Sequence, residues 1–367
     1  MKGSALVLTN NIGGLHSFRK EVMAAIINNG FDVYISEPDD DERVHYFEEI
    51  GCRVIKTSFN RRGMNPLSDL WLMIQYRKII RQIRPKVVLT YTIKPNIYGG
   101  MACRMTHTPQ LANVTGLGDA VENGGWLQRL TISLYKIGLK KAHTVFFQNK
   151  SNRNYCIQNG IADERSVILP GSGVNLEHHI LQDYPIDDGK IRFLYIGRLL
   201  KDKGIEEFFE TARVIHDKYP NTEFQILGSV EGPYQTLLNE LTNAGYVNHL
   251  GTTSDVRPYI GAVQCTIMPS YHEGMSNVNL ESAANGRPVI TTDVPGCRET
   301  VEDGKTGYLV KAKNAASLIE AVEKFISLPY EQKKLMGQAG RKKVELEFDR
   351  EIVVRAYLNE IESITHV

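Results

Sequence analysis

The chain has 367 residues and a formal net charge of +1, and 42% of its residues are hydrophobic while 23% are charged. This is an ordinary globular composition, which excludes collagen-like and disordered chains, and the length suits two domains of about 150 residues. The cysteines are odd in number and are not spaced as metal-binding pairs, so we expect free thiols at Cys52, Cys103, Cys156, Cys265 and Cys297.

Positive charge is concentrated in one part of the chain. Residues 1–180 carry a net charge of +7 and the remaining residues −6, and 51–155 alone contain 17 basic and 3 acidic side chains. Such a block is typical of contact with nucleic acid or with an anionic membrane surface. No segment reaches the ~18 apolar residues of a membrane span, and the apolar run Ala5–Leu8 is too short for a signal peptide. We therefore expect any membrane association to be peripheral.

Short β-branched segments alternate with amphipathic segments from the start of the chain. Strands are predicted at Ser4–Asn10, Phe31–Ser36, Cys52–Phe59, Val87–Thr92, Gln110–Thr115, Thr144–Gln148 and Ser166–Leu169. Helices are predicted between them, among others at Gly14–Asn29, Pro66–Arg84 and Trp126–Ala142. This alternation predicts βαβ units, and hence an α/β fold with a mostly parallel sheet and helices on both faces.

A polar segment at 183–189 interrupts this pattern, which then begins again. Further strands are predicted at Ile191–Gly197, Thr222–Gly228, Val247–Gly251, Cys265–Pro269 and Val289–Thr292. We predict two doubly wound, Rossmann-like domains, 1–182 and 190–348, and we expect the final helix in 349–367 to complete the first.

Ligands of doubly wound sheets bind beyond the carboxyl ends of the strands. Gly13 and Gly14 follow the first strand, where they either let backbone N–H groups approach an anion or merely form a tight turn. The G-x-G-x-x-G pattern of nicotinamide-binding proteins is absent there.

A second loop of interest contains two cations. Arg198 follows the strand Ile191–Gly197, at which the βα pattern begins again, and Lys203 precedes a helix. Two cations at a helix start suit a diphosphate that gains charge as it leaves, although solvated loop cations are the alternative.

The densest cluster of polar residues lies between Pro269 and Glu281. A strand ends at Pro269, Glu273 lies on the following loop, and a helix capped near Ser276 carries Glu281 among apolar neighbours. The Glu281 carboxylate can accept both hydroxyls of a ribose, and Glu273 can reach hydroxyls of a bound sugar. For either glutamate alone, capping or a helix-dipole role is the alternative. The free N–H groups at the helix start add an anion pocket that includes Gly274, Met275, Ser276 and Asn277.

These residues resemble the retaining nucleotide-sugar glycosyltransferases of family 4. Their GT-B fold places two Rossmann-like domains face to face across a cleft. The resemblance implies that Arg198 and Lys203 bind the donor diphosphate, that Glu281 binds the ribose and that Glu273 contacts the donor sugar, with Arg198, Lys203 and Glu273 as the catalytic set. Gly13 and Gly14 join the expected nucleotide-sugar site. The matching segments are Gly197-Arg198-Leu199, Lys203-Gly204, the E-x7-E pair, Gly286–Ile290 and Asp293–Glu299.

Through Tyr91–Gly99 and Asn113–Gly118, the amino-terminal half resembles the subgroup that builds bacterial surface glycans on polyprenyl diphosphate carriers. This implies transfer of a sugar, as in members that add an N-acetylhexosamine, from a UDP-sugar to a polyprenyl-diphosphate-linked saccharide, with retention of configuration. It also implies a cytoplasmic protein on the inner face of the cell membrane. Thr115 stands where many members have a histidine that touches the donor sugar, so that role is not carried over. Candidate acceptor-binding residues are His16, Lys94, Asn96, Thr115 and Asp119, the last of which also suits a helix cap.

We expect no metal or other cofactor. Asp39-Asp40-Asp41 contains the D-x-D motif of a different glycosyltransferase fold, but it precedes a helix, where capping explains it. His178 and His179 have no third ligand nearby in the sequence, and we expect them to be exposed.

Two alternative functions remain open. One is a glycosyltransferase with a soluble acceptor, and the other is a nucleic-acid-binding module that uses the basic half. A nucleic-acid surface needs aromatic side chains interleaved with the cations. Here many cations instead lie on helical patterns, such as Lys78 and Arg81 in the helix that carries Trp71, and Arg61 and Arg62 precede that helix. This arrangement favours an anionic membrane surface, unless Trp71 packs on the sheet.

Overall fold

The structure is a computed structural model that describes residues 2–38, 41–59, 65–116 and 125–365. The strands are β1 Gly3–Leu8, β2 Phe31–Glu37, β3 Arg53–Lys56, β4 Val87–Tyr91, β5 Gln110–Val114, β6 Thr144–Phe147, β7 Val167–Ile168, β8 Ile191–Ile196, β9 Thr222–Leu227, β10 Asn248–His249, β11 Cys265–Met268, β12 Val289–Thr292 and β13 Gly307–Val310.

Helices alternate with these strands, as the βαβ pattern predicts. They are α1 Ile12–Asn28, α2 Val44–Glu49, α3 Pro66–Ile83, α4 Gly100–Thr106, α5 Gly125–Leu139, α6 Lys150–Gln158, α7 Ile205–Lys218, α8 Gln235–Asn243, α9 Arg257–Gly261, α10 Asn277–Ala284, α11 Ala315–Ser327, α12 Tyr330–Glu347 and α13 Arg350–Thr365. A π-helical turn, Pro95–Gly99, precedes α4, and 3-10 turns lie at Lys201–Lys203, Gly232–Tyr234 and Arg298–Thr300.

The chain divides into two compact units, each built on one parallel sheet. The first unit comprises the described residues up to Ser172 together with those from Arg350 onward, and the second is Gly173–Asp349. The first sheet has the order β3-β2-β1-β4-β5-β6-β7 and the second β10-β9-β8-β11-β12-β13. Every strand pair is parallel. Both orders reverse beside the first strand of the unit, which is the position where doubly wound sheets bind ligands.

Alternate residues of β1 face two different helix layers. Ala5 and Val7 belong to the core under α1 and α13, whereas Leu6 and Leu8 belong to the core under α3 and α4. This period of two is what a strand buried on both faces requires. Helix α13, which is last in the chain, therefore lies in the first unit, on the face opposite α3 and α4.

The first unit ends ten residues before the predicted boundary at 182. Residues 173–182 pack on the second unit, where Val174 N–H donates to Phe348 O at 2.8 Å. Arg341 Nη1 donates to His179 O at 2.6 Å. The polar segment 183–189, which suggested the boundary, therefore lies inside the second unit. The ten residues before it already form hydrogen bonds with the rest of that unit.

Arg287 connects three segments of the second unit, a role that the sequence pattern does not show. Its side chain is fully buried, and its guanidinium donates to Ile260 O at 3.1 Å and to Asp183 O at 2.6 Å, as well as to four other backbone carbonyls. Burial lowers the pKa of Arg287 to about 10. Five guanidinium N–H groups shared among carbonyl oxygens satisfy a buried cation without a carboxylate. Arg287 thus holds the segment before β12 in place.

Candidate functional site

Three loops at the carboxyl edge of the second sheet are joined by backbone hydrogen bonds. The loop after β11 meets the loop after β8 where Tyr271 N–H donates to Asp202 O at 2.8 Å. It meets the loop after β12 where Ser276 N–H donates to Gly296 O at 2.7 Å. The three loops therefore form one rigid rim that carries the predicted cations and glutamates.

Two glycines make the close approach of these loops possible. Gly204 has φ +71°, and a Cβ there would lie 2.1 Å from Pro269 O. Gly296 has φ +85°, and a Cβ there would lie 2.3 Å from Glu273 O. Any side chain would meet both a left-handed backbone conformation and a backbone clash. The family motif thus needs glycine at Gly204 for a steric reason.

Lys203 and Glu273 form an ion pair in this rim. Lys203 Nζ lies 2.7 Å from Glu273 Oε1, and their side chains are 18% and 16% exposed. These two residues are 70 positions apart in sequence, and the structure brings them together. Water screens a mostly buried ion pair only a little, so the attraction between its two charges is strong. The charge-assisted hydrogen bond between them also prefers one geometry. It fixes the Lys203 ammonium beside the loop that leads into α10.

Arg198 is held more loosely. Its guanidinium Nη1 lies 3.2 Å from Glu231 Oε2, and the two side chains are 52% and 42% exposed. The Arg198 carbonyl accepts a hydrogen bond from Tyr195 Oη at 2.9 Å, which fixes the backbone. An exposed pair of this kind contributes little energy. Arg198 can therefore turn its guanidinium toward an incoming anion at small cost.

Helix α10 begins at the rim and carries Glu281. Ser276 is buried and caps the helix, since its side-chain oxygen accepts from Asn279 N–H. Asn277 Oδ1 is buried and makes no hydrogen bond to the described residues. Met275 packs into the core beneath the helix, whereas Gly274 and Glu281 are half-buried at the surface. The predicted segment thus combines core anchors, Met275 and Ser276, with the half-buried Gly274, Asn277 and Glu281 around one helix start.

Two further residues support this rim, and the sequence patterns did not identify them. The buried Asn279 amide donates to Thr291 Oγ1 at 3.1 Å and to Thr300 Oγ1 at 3.0 Å, which ties α10 to β12 and the turn after it. Tyr271 Oη donates to the Glu207 carboxylate at 2.8 Å, and burial raises the pKa of Tyr271. Both contacts join side chains far apart in sequence, so no local signal announces them.

The predicted glycines of the first unit lie inside a helix. Helix α1 begins at Ile12, two residues earlier than predicted, and Asn11 is its cap. The Gly14 N–H group already donates to Asn11 Oδ1 at 3.0 Å. A Cβ at Gly13 would lie 2.4 Å from the Arg43 guanidinium. The Arg43 guanidinium is the end of a flexible, half-exposed side chain and can move aside, so this contact does not by itself require glycine at position 13. A nucleotide-sugar role for Gly13 and Gly14 remains a prediction.

His16 lies near the same loop. Its ring packs edge-on against Tyr46 with centroids 4.8 Å apart. Burial, followed by the charges of Lys20 and Arg43, lowers the pKa of His16, so the neutral imidazole prevails at pH 7. Asp41, the last residue of the D-x-D motif, lies 2.5 Å from Arg43 Nη2. The hydrogen bond from Arg43 lowers the pKa of Asp41 to about 2. This carboxylate is thus engaged by a guanidinium, while residues 39 and 40 lie outside the described ranges.

The predicted acceptor residues fall into distinct environments. Lys94 Nζ lies 2.7 Å from Asp69 Oδ1 in a nearly buried ion pair, so its ammonium ties α3 to the turn after β4. Asn96 is fully buried; its Oδ1 accepts from Thr90 and its Nδ2 donates to Asn113 O. The polar groups of both side chains are thus engaged within the protein, and an acceptor-binding role for Lys94 and Asn96 remains a prediction. Thr115 is exposed.

A pocket of about 270 Å³ lies at the carboxyl ends of β4 and β5. Thr92 lies in its wall with φ +73°, an uncommon conformation for a β-branched residue. Its Oγ1 is buried and makes no hydrogen bond to the described part of the chain. The lining residues are Thr92, Ile93, Asn96, Asn113, Thr115, Gly116 and Tyr135. A buried hydroxyl beside exposed Thr115 suits a polar, hydroxyl-bearing ligand. Asp119 lies outside the described residues.

The remaining predictions concern His179, the cysteines, metal ligands and membrane-spanning helices. His179 is buried rather than exposed, since Asn285 Nδ2 lies 3.1 Å from its Nδ1. All five cysteines are free and buried. Across the described ranges, no three His, Cys, Asp or Glu side chains cluster as metal ligands. Among the helices described, none has the length and apolar character needed to cross a bilayer.

Comparison with protein families assigns both halves of the chain to glycosyltransferases. The family described as glycosyl transferases group 1 matches residues 178–343. The family described as glycosyl transferase 4-like matches residues 6–149. The first match contains the whole rim of the second unit, and the second match contains the pocket beside Thr92.

Full-length relatives carry the same assignment. The chain is 28% identical over 366 residues to the N,N'-diacetylbacillosaminyl-diphospho-undecaprenol alpha-1,3-N-acetylgalactosaminyltransferase of Campylobacter jejuni, and the alignment covers 94% of each chain. It is 27% identical over 341 residues to the capsular polysaccharide biosynthesis glycosyltransferase CapM of Staphylococcus aureus, covering 88% of this chain and 87% of the relative.

Solved structures show the same fold. Anabaena HepE in complex with UDP superposes with a TM-score of 0.81 at 15% identity, covering 98% of this chain and 100% of the other. A sucrose-phosphate synthase from Thermosynechococcus elongatus superposes with a TM-score of 0.79 at 18% identity, covering 99% of each chain. The predicted GT-B fold, with a Rossmann-like sheet in each unit, is confirmed. The chain therefore belongs to the family 4 type of glycosyltransferases, with a 4-like amino-terminal unit and a group 1 carboxyl-terminal unit.

Proposed function

We propose that the protein transfers a sugar, specifically an N-acetylhexosamine, from a UDP-sugar to a polyprenyl-diphosphate-linked saccharide with retention of anomeric configuration. The observation that carries this proposal is the Lys203–Glu273 pair held in the rim at the start of α10. The Campylobacter jejuni relative is named for transfer to a diphospho-undecaprenol acceptor, and the HepE structure contains UDP. Both support the choice of donor and acceptor.

In this mechanism the second unit binds the donor. The Glu281 carboxylate accepts hydrogen bonds from the ribose hydroxyls, and Glu273 orients the donor sugar while it holds Lys203. Arg198 and Lys203 contact the diphosphate together with the first N–H groups of α10. Negative charge grows on the diphosphate as it departs, so fixed cations there stabilise the transition state more than the bound donor.

The acceptor hydroxyl attacks from the face that the diphosphate leaves. The bond from the anomeric carbon to the diphosphate oxygen breaks, its electron pair stays on that oxygen, and the acceptor oxygen forms the new bond. The hydroxyl proton passes to a departing phosphate oxygen. This route needs no carboxylate nucleophile and includes no divalent cation, because Arg198, Lys203 and the helix start supply the positive field. Transfer is accordingly expected to continue in EDTA.

The pocket beside Thr92 is the proposed place for the acceptor saccharide. Thr115 and the buried Thr92 hydroxyl offer hydrogen bonds to sugar hydroxyls. Lys94 and Asn96 fix the turn that forms the wall. His16 and Asp119 remain candidates for acceptor contact.

We propose that α3 and α5 carry the protein onto an anionic membrane. Trp71 is 54% exposed and Trp126 is 72% exposed, whereas Leu72 and Tyr76 fill the side of α3 that faces the sheet. Trp71 therefore does not pack on the sheet. Apolar side chains with neighbouring cations are typical of a surface that settles among lipid headgroups. We call the following residues the docking face: Leu67, Leu70, Trp71, Ile74, Lys78 and Arg81 of α3, with Trp126, Arg129 and Leu130 of α5.

Glu281→Gln is expected to weaken UDP binding, because an amide accepts the ribose hydroxyls less well than a carboxylate does. The loss is about 1.5–3 kcal/mol, the range for a hydrogen bond to a charged group. Isothermal titration calorimetry with UDP measures it. Glu320→Gln, the same change on an exposed helix of this unit, is the matched control. Unchanged affinity in folded Glu281→Gln protein would remove Glu281 from the nucleotide site.

Arg198→Ala and Lys203→Ala are each expected to lower kcat by roughly a hundredfold, with a smaller rise in the KM for the donor. The reason is that each cation meets more charge in the transition state than in the bound donor. Initial-rate measurements of UDP release give both constants. Lys201→Ala, which removes a 70% exposed cation from the same loop, is the control. Near-native turnover of both variants would place the diphosphate elsewhere.

Lys78→Gln with Arg81→Gln is expected to weaken binding to phosphatidylglycerol vesicles, since each cation near an anionic leaflet contributes ~1 kcal/mol. Flotation at low and high salt measures the binding. Lys20→Gln with Arg355→Gln removes the same charge from the helix layer on the opposite face of the sheet. If both double variants bound equally well, α3 would not be the membrane contact. The cations Arg61 and Arg62, which precede α3 in sequence, lie outside the described residues.

A further inference from the structure

A basic groove lies at the amino-terminal end of the strands of the first sheet, whereas the pocket beside Thr92 lies at their carboxyl-terminal end. It has a volume of about 600 Å³ and continues into a neighbouring hollow of about 840 Å³. Thr144 and Val145, at the amino end of β6, form its floor. The pocket beside Thr92 lies at the carboxyl end of β5, and a five-residue strand separates the two edges by roughly 15 Å. We call the two connected hollows the basic groove. The cations in its lining are Arg104, Lys136, Lys140, Lys141 and Arg165.

The two acidic side chains in the lining are already engaged. Asp163 Oδ2 lies 2.6 Å from Arg165 Nη2. Glu360 accepts a hydrogen bond from Thr144 Oγ1 and lies 3.7 Å from His143 Nε2. Counting both acids, the lining keeps a formal charge of +3 at pH 7 with neutral histidines.

Four of the five cations form no ion pair with the residues that the structure describes. Arg104 Nη1 donates a hydrogen bond to Ile137 O at 3.0 Å, and it thereby caps a carbonyl group in the last turn of α5. Lys136, Lys140 and Lys141 are exposed and form no ion pair with any residue in the described part of the chain. Lys140 and Lys141 directly follow the end of α5, which carries Lys136 in its last turn, and like charges this close in sequence repel each other. Their convergence on one groove therefore favours an anion as the occupant.

The surroundings of the groove indicate which anion. Ile137 lines the groove and Met105 lies on the adjacent α4, and both side chains are 43% exposed. Helix α5 also carries Trp126 and Leu130 of the docking face, so groove and docking face meet along one helix. The described lining contains no Phe, Tyr or Trp, which a groove for single-stranded nucleic acid would need for stacking. A soluble anion would need no exposed apolar rim.

We propose that the basic groove is a binding site for the phosphate headgroup of an anionic phospholipid. The inference rests on the proposed membrane association, which it sharpens to one site. Lys136, Lys140 and Lys141 surround the headgroup phosphate, while Ile137 and Met105 contact the adjoining acyl region. The site anchors the first unit at a point remote from the acceptor pocket.

The test compares two triple variants of the full-length protein that lose equal charge. Lys136→Gln/Lys140→Gln/Lys141→Gln alters the groove, and Lys78→Gln/Arg81→Gln/Arg129→Gln alters the docking face. Binding to vesicles of phosphatidylcholine with phosphatidylglycerol is measured by flotation, with and without glycerophosphoglycerol as a soluble headgroup competitor. The groove variant should bind about fivefold more weakly per lost cation, and the competitor should no longer affect it. The docking-face variant should stay sensitive to the competitor.

Equal sensitivity of the two variants to glycerophosphoglycerol would overturn the proposal, because it would show a diffuse field instead of a site. Two other results would also overturn it: an equal effect of inorganic phosphate, or a larger loss in a DNA electrophoretic shift than in flotation. Sugar transfer to a detergent-solubilised acceptor should stay unchanged in the groove variant. Loss of transfer in that variant would place the groove in the reaction site, whereas absence of transfer in the wild type would overturn the proposed function.

Discussion

The second unit of this protein depends on one close approach, in which three loops at the carboxyl end of its sheet contact each other backbone to backbone. Gly204 and Gly296 permit it, since a Cβ at either position would lie within 2.3 Å of a carbonyl oxygen. The Lys203–Glu273 ion pair forms across the same contact. A cation on a rigid rim loses little freedom when it meets a charged ligand, which is the condition for electrostatic catalysis by preorganised groups. The proposed mechanism follows from that condition.

The first unit is organised around its two helix layers. The α1 and α13 layer is anchored internally, where Arg350 pairs with Glu21 at 2.9 Å. The α3, α4 and α5 layer carries the docking face and the basic groove. The nearly buried Lys94–Asp69 pair connects α3 to the turn that walls the pocket beside Thr92. A membrane contact on α3 and an acceptor in the pocket would thus be held in fixed register within one unit.

Much of the second unit could be predicted from the sequence because its signals are local. Strands β8 and β11 are short, mostly apolar runs, β12 has the predicted bounds, and the helix capped by Ser276 follows from one residue. Lys203 and Glu273 lie on the loops after β8 and β11, which neighbour each other in the sheet, so the topology places both loops at the same end of the sheet.

Other features arise from contacts between residues distant in sequence, which patterning cannot reveal. The sequence does not show that Lys94 forms an ion pair with Asp69. It also does not show that Asn96 is buried and forms hydrogen bonds with β4 and β5. The boundary at Ser172 and the six carbonyls around Arg287 depend on segments that meet only after folding. For Lys94, Asn96 and Arg287, the polar side chain takes part in a buried hydrogen-bond network whose other members lie far away in the sequence.

The most direct measurement of the central claim is the stereochemistry of the product. The protein is incubated with a UDP-N-acetylhexosamine and a polyprenyl-diphosphate-linked saccharide, UDP release is followed, and the new linkage is assigned by proton NMR. We expect one product per UDP released, with the anomeric configuration of the donor. An inverted linkage, or UDP release without any product, would contradict it.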